Sequence, residues 1–236
     1  DWLIAMQSRD GGWGAFDKDN DKAILTKIPF CDFGEALDPP SVDVTAHVVE
    51  AFAKLGIPRT HPAMVRAIDY LRREQEPNGP WFGRWGVNYI YGTWSVLCAL
   101  NAAGVDHKDP VIAKAADWLI SIQNPDGGWG EDGNSYKLEY RGYERSDSTA
   151  SQTAWATLAL MAAGKVDHPA VQRGIAYLIQ FQGKDGLWTE PQYTGGGFPR
   201  VFYLRYHGYS KFFPLWALAR YRNLRNTNSR FVGIGM

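Results

Sequence analysis

At 236 residues the chain is long enough to bury a sizeable single core, and its balance of 25 Lys+Arg against 25 Asp+Glu gives a nucleic-acid partner no electrostatic support. Two cysteines, Cys31 and Cys98, offer neither a disulfide framework nor metal-ligand spacing, as suits a reducing compartment, and no apolar run approaches the ~18 residues that span a bilayer. What stands out is the aromatic share of 14%, with ten Trp.

The chain enters on Asp1-Trp2-Leu3 in what reads as mid-helix, so it is expected to be the C-terminal piece of a longer protein. Residues 1–7 read as a helix end closed by Asp10-Gly11 and followed by Trp13. That phrase returns three times at the same offsets: Tyr70-Leu71, Gln75, Asn78-Gly79, Trp81; Trp118-Leu119, Gln123, Asp126-Gly127, Trp129; Tyr177-Leu178, Gln182, Asp185-Gly186, Trp188. The intervals are unequal, which marks a degenerate repeat with insertions. Asp-Gly and Asn-Gly supply positive-φ residues through which a helix cannot continue. The Gln in the last turn can satisfy an orphan backbone group while the Trp packs beside it, so Gln and Trp are read as a clamp between neighbouring hairpins.

The loop from Gly14 to about Pro40 carries Asp17, Asp19 and Asp21. A calcium loop is disfavoured, because Lys22 and Ile28 stand where an EF-hand needs Gly and a bidentate Glu. Ser41 reads as the N-cap of a helix through Val42, Val48, Phe52 and Leu55 that ends at Gly56. Asp43 and His47 share one face of it, and two readings stay open: an inner helix facing a cavity, or a capping Asp beside a surface His. Outer helices are predicted at 63–75, 111–123 and 170–182, each introduced by Gly-to-Pro punctuation. More apolar inner helices are predicted at 89–103, 149–163 and 211–222; runs such as Trp94 to Leu100 and Ala154 to Leu160 carry no charge. Residues 130–148 form a polar insertion, with Glu131, Glu139, Arg141 and Glu144, to which no role is assigned. Phe198, Phe202, Tyr206 and Tyr209 form one stripe if 199–209 is helical, with Pro199 at its first position. On the residues alone that stripe is core packing, although Gly195-Gly196-Gly197 would let the segment approach another closely. Residues 223–236 read as a frayed tail.

Alternating helical hairpins with buried inner helices make this an all-α chain of the α/α-toroid type, incomplete here. Its chemistry is narrowed by what is missing from the sequence: metal cluster, nucleotide-binding Gly loop and nucleophile elbow. An aromatic-rich concavity with one Asp and one His suits an apolar substrate that becomes a cation, since each aromatic face stabilises positive charge by ~0.5–2 kcal/mol without trapping it.

The repeat resembles the QW motif of the triterpene cyclases. The strings Pro29-Phe30-Cys31-Asp32-Phe33-Gly34 and Trp81-Phe82-Gly83-Arg84-Trp85-Gly86-Val87-Asn88-Tyr89 look like the squalene-hopene cyclases in particular, and the resemblance covers nearly the whole chain. It implies that residues 1–236 are the C-terminal part of a catalytic barrel of helical hairpins, which folds squalene, protonates a terminal double bond and closes rings to hopene or hopanol. It also implies roles. His47 would hydrogen-bond the acid, Asp43 would orient His47, and Tyr91 would join the network that reprotonates the acid. Phe16, Trp85, Phe198, Phe202, Tyr206 and Tyr209 would line the cavity, and Phe30 and Cys31 would border the substrate channel. Phe16 departs from the Tyr of many members. The Asp-x-Asp-Asp acid motif is absent from this sequence, so the chain alone is expected to be inactive. The implied partners are squalene and the N-terminal part of the same protein, with a peripheral seat on the cytoplasmic side of the membrane; a homodimer is compatible, and no cofactor is expected. A sterol-type oxidosqualene cyclase, a carbohydrate-active α/α barrel and a non-enzymatic toroid that binds a partner or prenyl group are the competing readings.

Overall fold

The computed structural model describes residues 1–22, 24, 27, 37–137, 142–198 and 201–227. In chain order the elements are α1 (Trp2–Ala5), α2 (Val42–Lys54), α3 (Pro62–Arg73), α4 (Tyr89–Ala102), α5 (Pro110–Ser121), α6 (Ala150–Ala162), α7 (Pro169–Gln180), β1 (Gly195–Gly197), β2 (Phe202–Leu204) and α8 (Tyr209–Asn226). The outer helices α3, α5 and α7 each begin with Pro, whose missing N–H costs nothing there. The residue before it caps the helix: the side chains of His61, Asp109 and His168 accept the N–H of Ala63, Val111 and Ala170. Inner helices α2, α4 and α6 end just before Gly56, Gly104 and Gly164, which take φ of 77°, 71° and 74°.

Every residue of α6 and all but Ala102 of α4 are buried. Such helices need cover on every side, and they have it. The inner helices pack in series, α2 on α4, α4 on α6 and α6 on α8, while α3, α5 and α7 pack behind them. The result is an arc of hairpins with its core between the two rows. Each fully buried Leu or Ile in it, such as Leu97, Leu119 and Ile112, contributes roughly 2 kcal/mol.

The repeat is the joint of this arc. Each indole N–H donates to the carbonyl of the Leu at its own helix end: Trp13 to Leu3 at 2.7 Å, Trp81 to Leu71 at 2.6 Å, Trp129 to Leu119 and Trp188 to Leu178 at 2.8 Å. The first three Gln amides bridge onward. Gln7 donates to Gly11 and to Ala63, Gln75 to Gly79 and Val111, and Gln123 to Gly127 and Ala170, at 2.8–2.9 Å. Each therefore ties its turn to a carbonyl at the start of the next outer helix. Gln182 donates to Gly186 at 2.8 Å. A further bond, invisible in the repeat pattern, joins each turn to the following inner helix: the backbone N–H of Trp13, Trp81 and Trp129 donates to the hydroxyl of Thr45, Thr93 and Thr153 at 3.0–3.1 Å.

Two sequence expectations need correction. Within the stretch expected to be helical, 199–209, residues 201–208 are not a helix: β2 occupies Phe202–Leu204 and pairs antiparallel with the glycine strand β1, Gly195 opposite Leu204 and Gly197 opposite Phe202. The last inner helix starts at Tyr209 and runs on to Asn226, with Leu224 buried, so 223–226 belong to it rather than to a tail. Phe30, Cys31, Pro199 and residues 228–236 lie outside the described residues.

Candidate active site: an aromatic cavity at the start of the inner helices

The first turns of α2 and α4 and the loops that lead into them surround a cavity of about 260 Å³ lined by Ala15, Phe16, Asp43, Val44, His47, Trp85 and Tyr91. Its wall is almost wholly apolar, with one polar corner.

Asp43 is 1% exposed. Its Oδ2 accepts the backbone N–H of Arg84 at 2.9 Å and of Trp85 at 2.7 Å, and its Oδ1 accepts that of Val44 at 3.0 Å. The carboxylate thus ties α2 to the loop ahead of α4 and fixes the residue that presents the Trp85 indole. His47, one helical turn on, bears on Asp43 through charge, and its Nε2 lies 3.3 Å from the Tyr91 hydroxyl. Burial lowers the His47 pKa from its ordinary value, and the negative charges of Asp43 and Glu50 only offset this, so the neutral imidazole is favoured. Burial, reinforced by Asp43, pushes the Tyr91 phenol well above its usual range and keeps it protonated. The open alternative at Asp43 and His47 is thereby decided: α2 is an inner helix, and both side chains face the cavity.

The aromatic residues form a connected set. Phe16 and Phe198 meet Trp85 edge to face, each with ring centroids 5.8 Å apart, and Phe198 meets Phe202 at 6.2 Å. From Tyr91 a second branch runs to Trp155 at 4.9 Å, then to Tyr209 at 5.6 Å and Tyr206 at 4.8 Å from it. The glycine strand makes the close approach that Gly195 to Gly197 suggested. A Cβ on Gly197 would stand 2.1 Å from the Phe202 ring, and one on Gly195 2.6 Å from Tyr206. Phe16, Phe202 and Tyr206 remain 65%, 38% and 46% exposed, so this side of the aromatic surface lies open.

Sequence reasoning missed several members. Trp94 and Trp155 stack at 5.9 Å behind Tyr91 and His47, joined by Phe213. Asp38 is buried and accepts the backbone N–H of Ala15, Phe16 and Asp17, which seats Phe16. Glu131, in the polar insertion, accepts three N–H groups at the start of α4, and Glu190 does the same for Ser151 in α6. Both Glu residues stand two places after a repeat Trp, a recurrence that was readable in the sequence. Among the described residues no group of His, Cys, Asp and Glu is arranged to hold a metal ion.

Residues 1–223 match the family described as Squalene-hopene cyclase C-terminal domain. The chain belongs to that family. It is 66% identical over its whole length to a squalene-hopene cyclase of Bradyrhizobium diazoefficiens, covering 36% of that protein, and 57% identical over 94% of its length to one of Alicyclobacillus acidocaldarius, covering 35%. The chain thus spans about a third of the length of these relatives. Among solved structures, the type II terpene cyclase MstE from Scytonema, in complex with merosterolic acid A, aligns with 93% of this chain and 63% of its own at a TM-score of 0.59 and 21% identity. A polysaccharide lyase aligns with 80% of this chain and 63% of its own at 0.52 and 17%. The α/α-toroid fold is therefore shared by unrelated chemistries, and membership of the squalene-hopene cyclase family is what disfavours the carbohydrate reading. No described helix is long and apolar enough to cross a membrane.

Proposed function

We propose that this chain forms the C-terminal part of a squalene-hopene cyclase, which converts squalene to hopene or hopanol by proton-initiated polycyclisation. The observation that carries this reading is the cavity itself: an apolar aromatic wall with a single Asp-His-Tyr corner. A cation advancing along such a wall gains ~0.5–2 kcal/mol from each ring it faces.

In this reading the acid that protonates the terminal double bond belongs to the N-terminal part of the protein. Neutral His47 hydrogen-bonds that acid, Asp43 orients His47 through its charge, and the Tyr91 hydroxyl relays the replacement proton. Phe16, Trp85, Phe198, Phe202, Tyr206 and Tyr209 face the cations as the rings close, before the last cation loses a proton or takes up water. Phe30 and Cys31 border the entrance, and the protein sits peripherally on the cytoplasmic side of the membrane in which squalene dissolves.

The test joins this chain to the N-terminal part of the Bradyrhizobium diazoefficiens relative and measures squalene turnover by gas chromatography, beside the chain alone. Hopene or hopanol from the full-length protein and none from the chain is the expected result. No triterpene from the full-length protein refutes the reading, and product from the chain alone refutes the placement of the acid.

A further inference from the structure

The polar stretch between α5 and α6 lies outside the repeat, yet two of its buried side chains converge on one segment. Glu131 accepts the backbone N–H of Asn88 at 3.1 Å, Tyr89 at 3.1 Å and Ile90 at 3.0 Å, orphan donors at the start of α4. Tyr136 ends a short 3-10 turn, Gly133–Tyr136, and its hydroxyl lies 2.6 Å from the carbonyl oxygens of both Gly83 and Gly86. Asn88 links the two grips: its Oδ1 accepts the Gly83 N–H at 3.0 Å, and its Nδ2 donates to Ser135 at 3.1 Å. Gln152 of α6 closes the network, donating to the carbonyls of Val87 and Glu131 and accepting the Glu131 N–H.

The segment from Gly83 to Ile90 is thereby held from two sides. Asp43 takes the N–H groups of Arg84 and Trp85 from α2, and the polar stretch takes the carbonyls and the helix start from the other. Trp85 and Tyr91, which line the cavity, lie within this segment and just past its end. Gly86, the residue after Trp85, lies against the Tyr91 ring, where a Cβ would stand 2.3 Å from it. A helix cap alone accounts for Glu131, but not for the grip of Tyr136 on the loop carbonyls.

We propose that Glu131 and Tyr136 are positioning residues of the cavity: without lining it, they set where the Trp85 indole and the Tyr91 hydroxyl stand during cyclisation. This rests on the cyclase reading above. It assigns the polar stretch the work of a template, since catalysis by placement is sensitive to shifts of about 1 Å.

The experiment is a double-mutant cycle in the full-length protein, with Tyr136→Phe, Trp85→Ala and the pair, reading kcat, KM and products from squalene. Tyr136→Phe keeps the ring and removes only the hydroxyl. It should lower kcat about tenfold with little change in KM, and raise the share of incompletely cyclised products. In the Trp85→Ala background it should cost clearly less than in the wild type, because part of its effect runs through Trp85. Glu131→Gln, which keeps one acceptor, should act in the same direction. Equal losses in both backgrounds, or unchanged kcat and products, overturn the proposal. A full-length protein that makes no triterpene refutes the cyclase reading instead. Amide exchange then decides the geometry alone: Tyr136→Phe must speed exchange between Gly83 and Tyr91 and leave the rest of the chain unchanged, and unaltered exchange there overturns it.

Discussion

The clamp can be tested against itself, because two of its copies differ in what they hold. Gln123 donates to Gly127 at 2.8 Å and to Ala170 at 2.9 Å, and its carbonyl oxygen accepts from Arg173. Gln182 donates to Gly186 at 2.8 Å and is exposed. Gln123→Ala removes two part-buried bonds of ~1 kcal/mol each, and the exposed Arg173 contact adds little, so the loss is about 2 kcal/mol. For a domain of this size that corresponds to a fall in Tm of about 4–8 °C. Gln182→Ala removes one solvated bond, ~0.5 kcal/mol, and shifts Tm by about 1–2 °C. Thermal unfolding followed by circular dichroism on this chain reads both. Equal shifts, or a larger one at Gln182, would refute the idea that the Gln works by hooking the next outer helix rather than by closing its own turn. In the full-length protein the gap should narrow if another hairpin offers Gln182 a carbonyl.

Trp129→Phe keeps an aromatic ring but leaves the buried Leu119 carbonyl, now 2.8 Å from the indole nitrogen, without its donor; a loss of ~1–3 kcal/mol is expected in urea unfolding, and less than about half a kcal/mol would sink the hydrogen-bonded reading of the repeat Trp. Asp43→Asn replaces an acceptor of two backbone N–H groups with a side chain that can present an N–H of its own to Arg84 and Trp85; kcat in the full-length protein should fall at least about tenfold, and wild-type turnover would remove Asp43 from the site. Burial pushes the Glu131 carboxyl up from 4.5 to about 8, against the N–H groups of Ile90 and Asn88. A raised folded pKa means that its stabilisation is complete below the unfolded value and is lost as pH rises through about 8. Glu131→Gln should therefore lose less Tm than wild type between about pH 5 and pH 9, and parallel Tm curves would contradict this.

The hairpin order was legible because its signals are local. Gly11, Gly79, Gly127 and Gly186 take positive φ at the turns, and apolar runs without charge mark α4 and α6. The misreading of 199–209 came from trusting side-chain spacing alone. Aromatic residues four apart also suit a bent ribbon when a strand of glycines leaves room for their rings, as β1 does for Phe202 and Tyr206. The polar insertion stayed silent for a different reason. The partners of Glu131 are backbone N–H groups more than forty residues earlier in the chain, and backbone donors leave no trace in side-chain periodicity. Only the recurrence of Glu two places after a repeat Trp, at Glu131 and Glu190, hinted at it.

A carboxylate in the wall of a cavity proposed to hold cations looks like a contradiction, since a free carboxylate oxygen would capture or deprotonate the cation. The structure resolves it by occupancy. Asp43 is the one acid among the described residues of the lining, and both its oxygens are engaged: Oδ2 by two backbone N–H groups and Oδ1 by a third. Its charge is still felt across the low-dielectric pocket, where it favours positive charge nearby, but three of its lone pairs are taken up by those N–H groups. The same arrangement governs His47, which burial keeps neutral, so the polar corner adds no positive charge of its own to oppose a carbocation. Charge without nucleophilicity is what the aromatic rings supply by their faces and what Asp43 supplies by being hydrogen-bonded, so the two kinds of residue do compatible work in one wall.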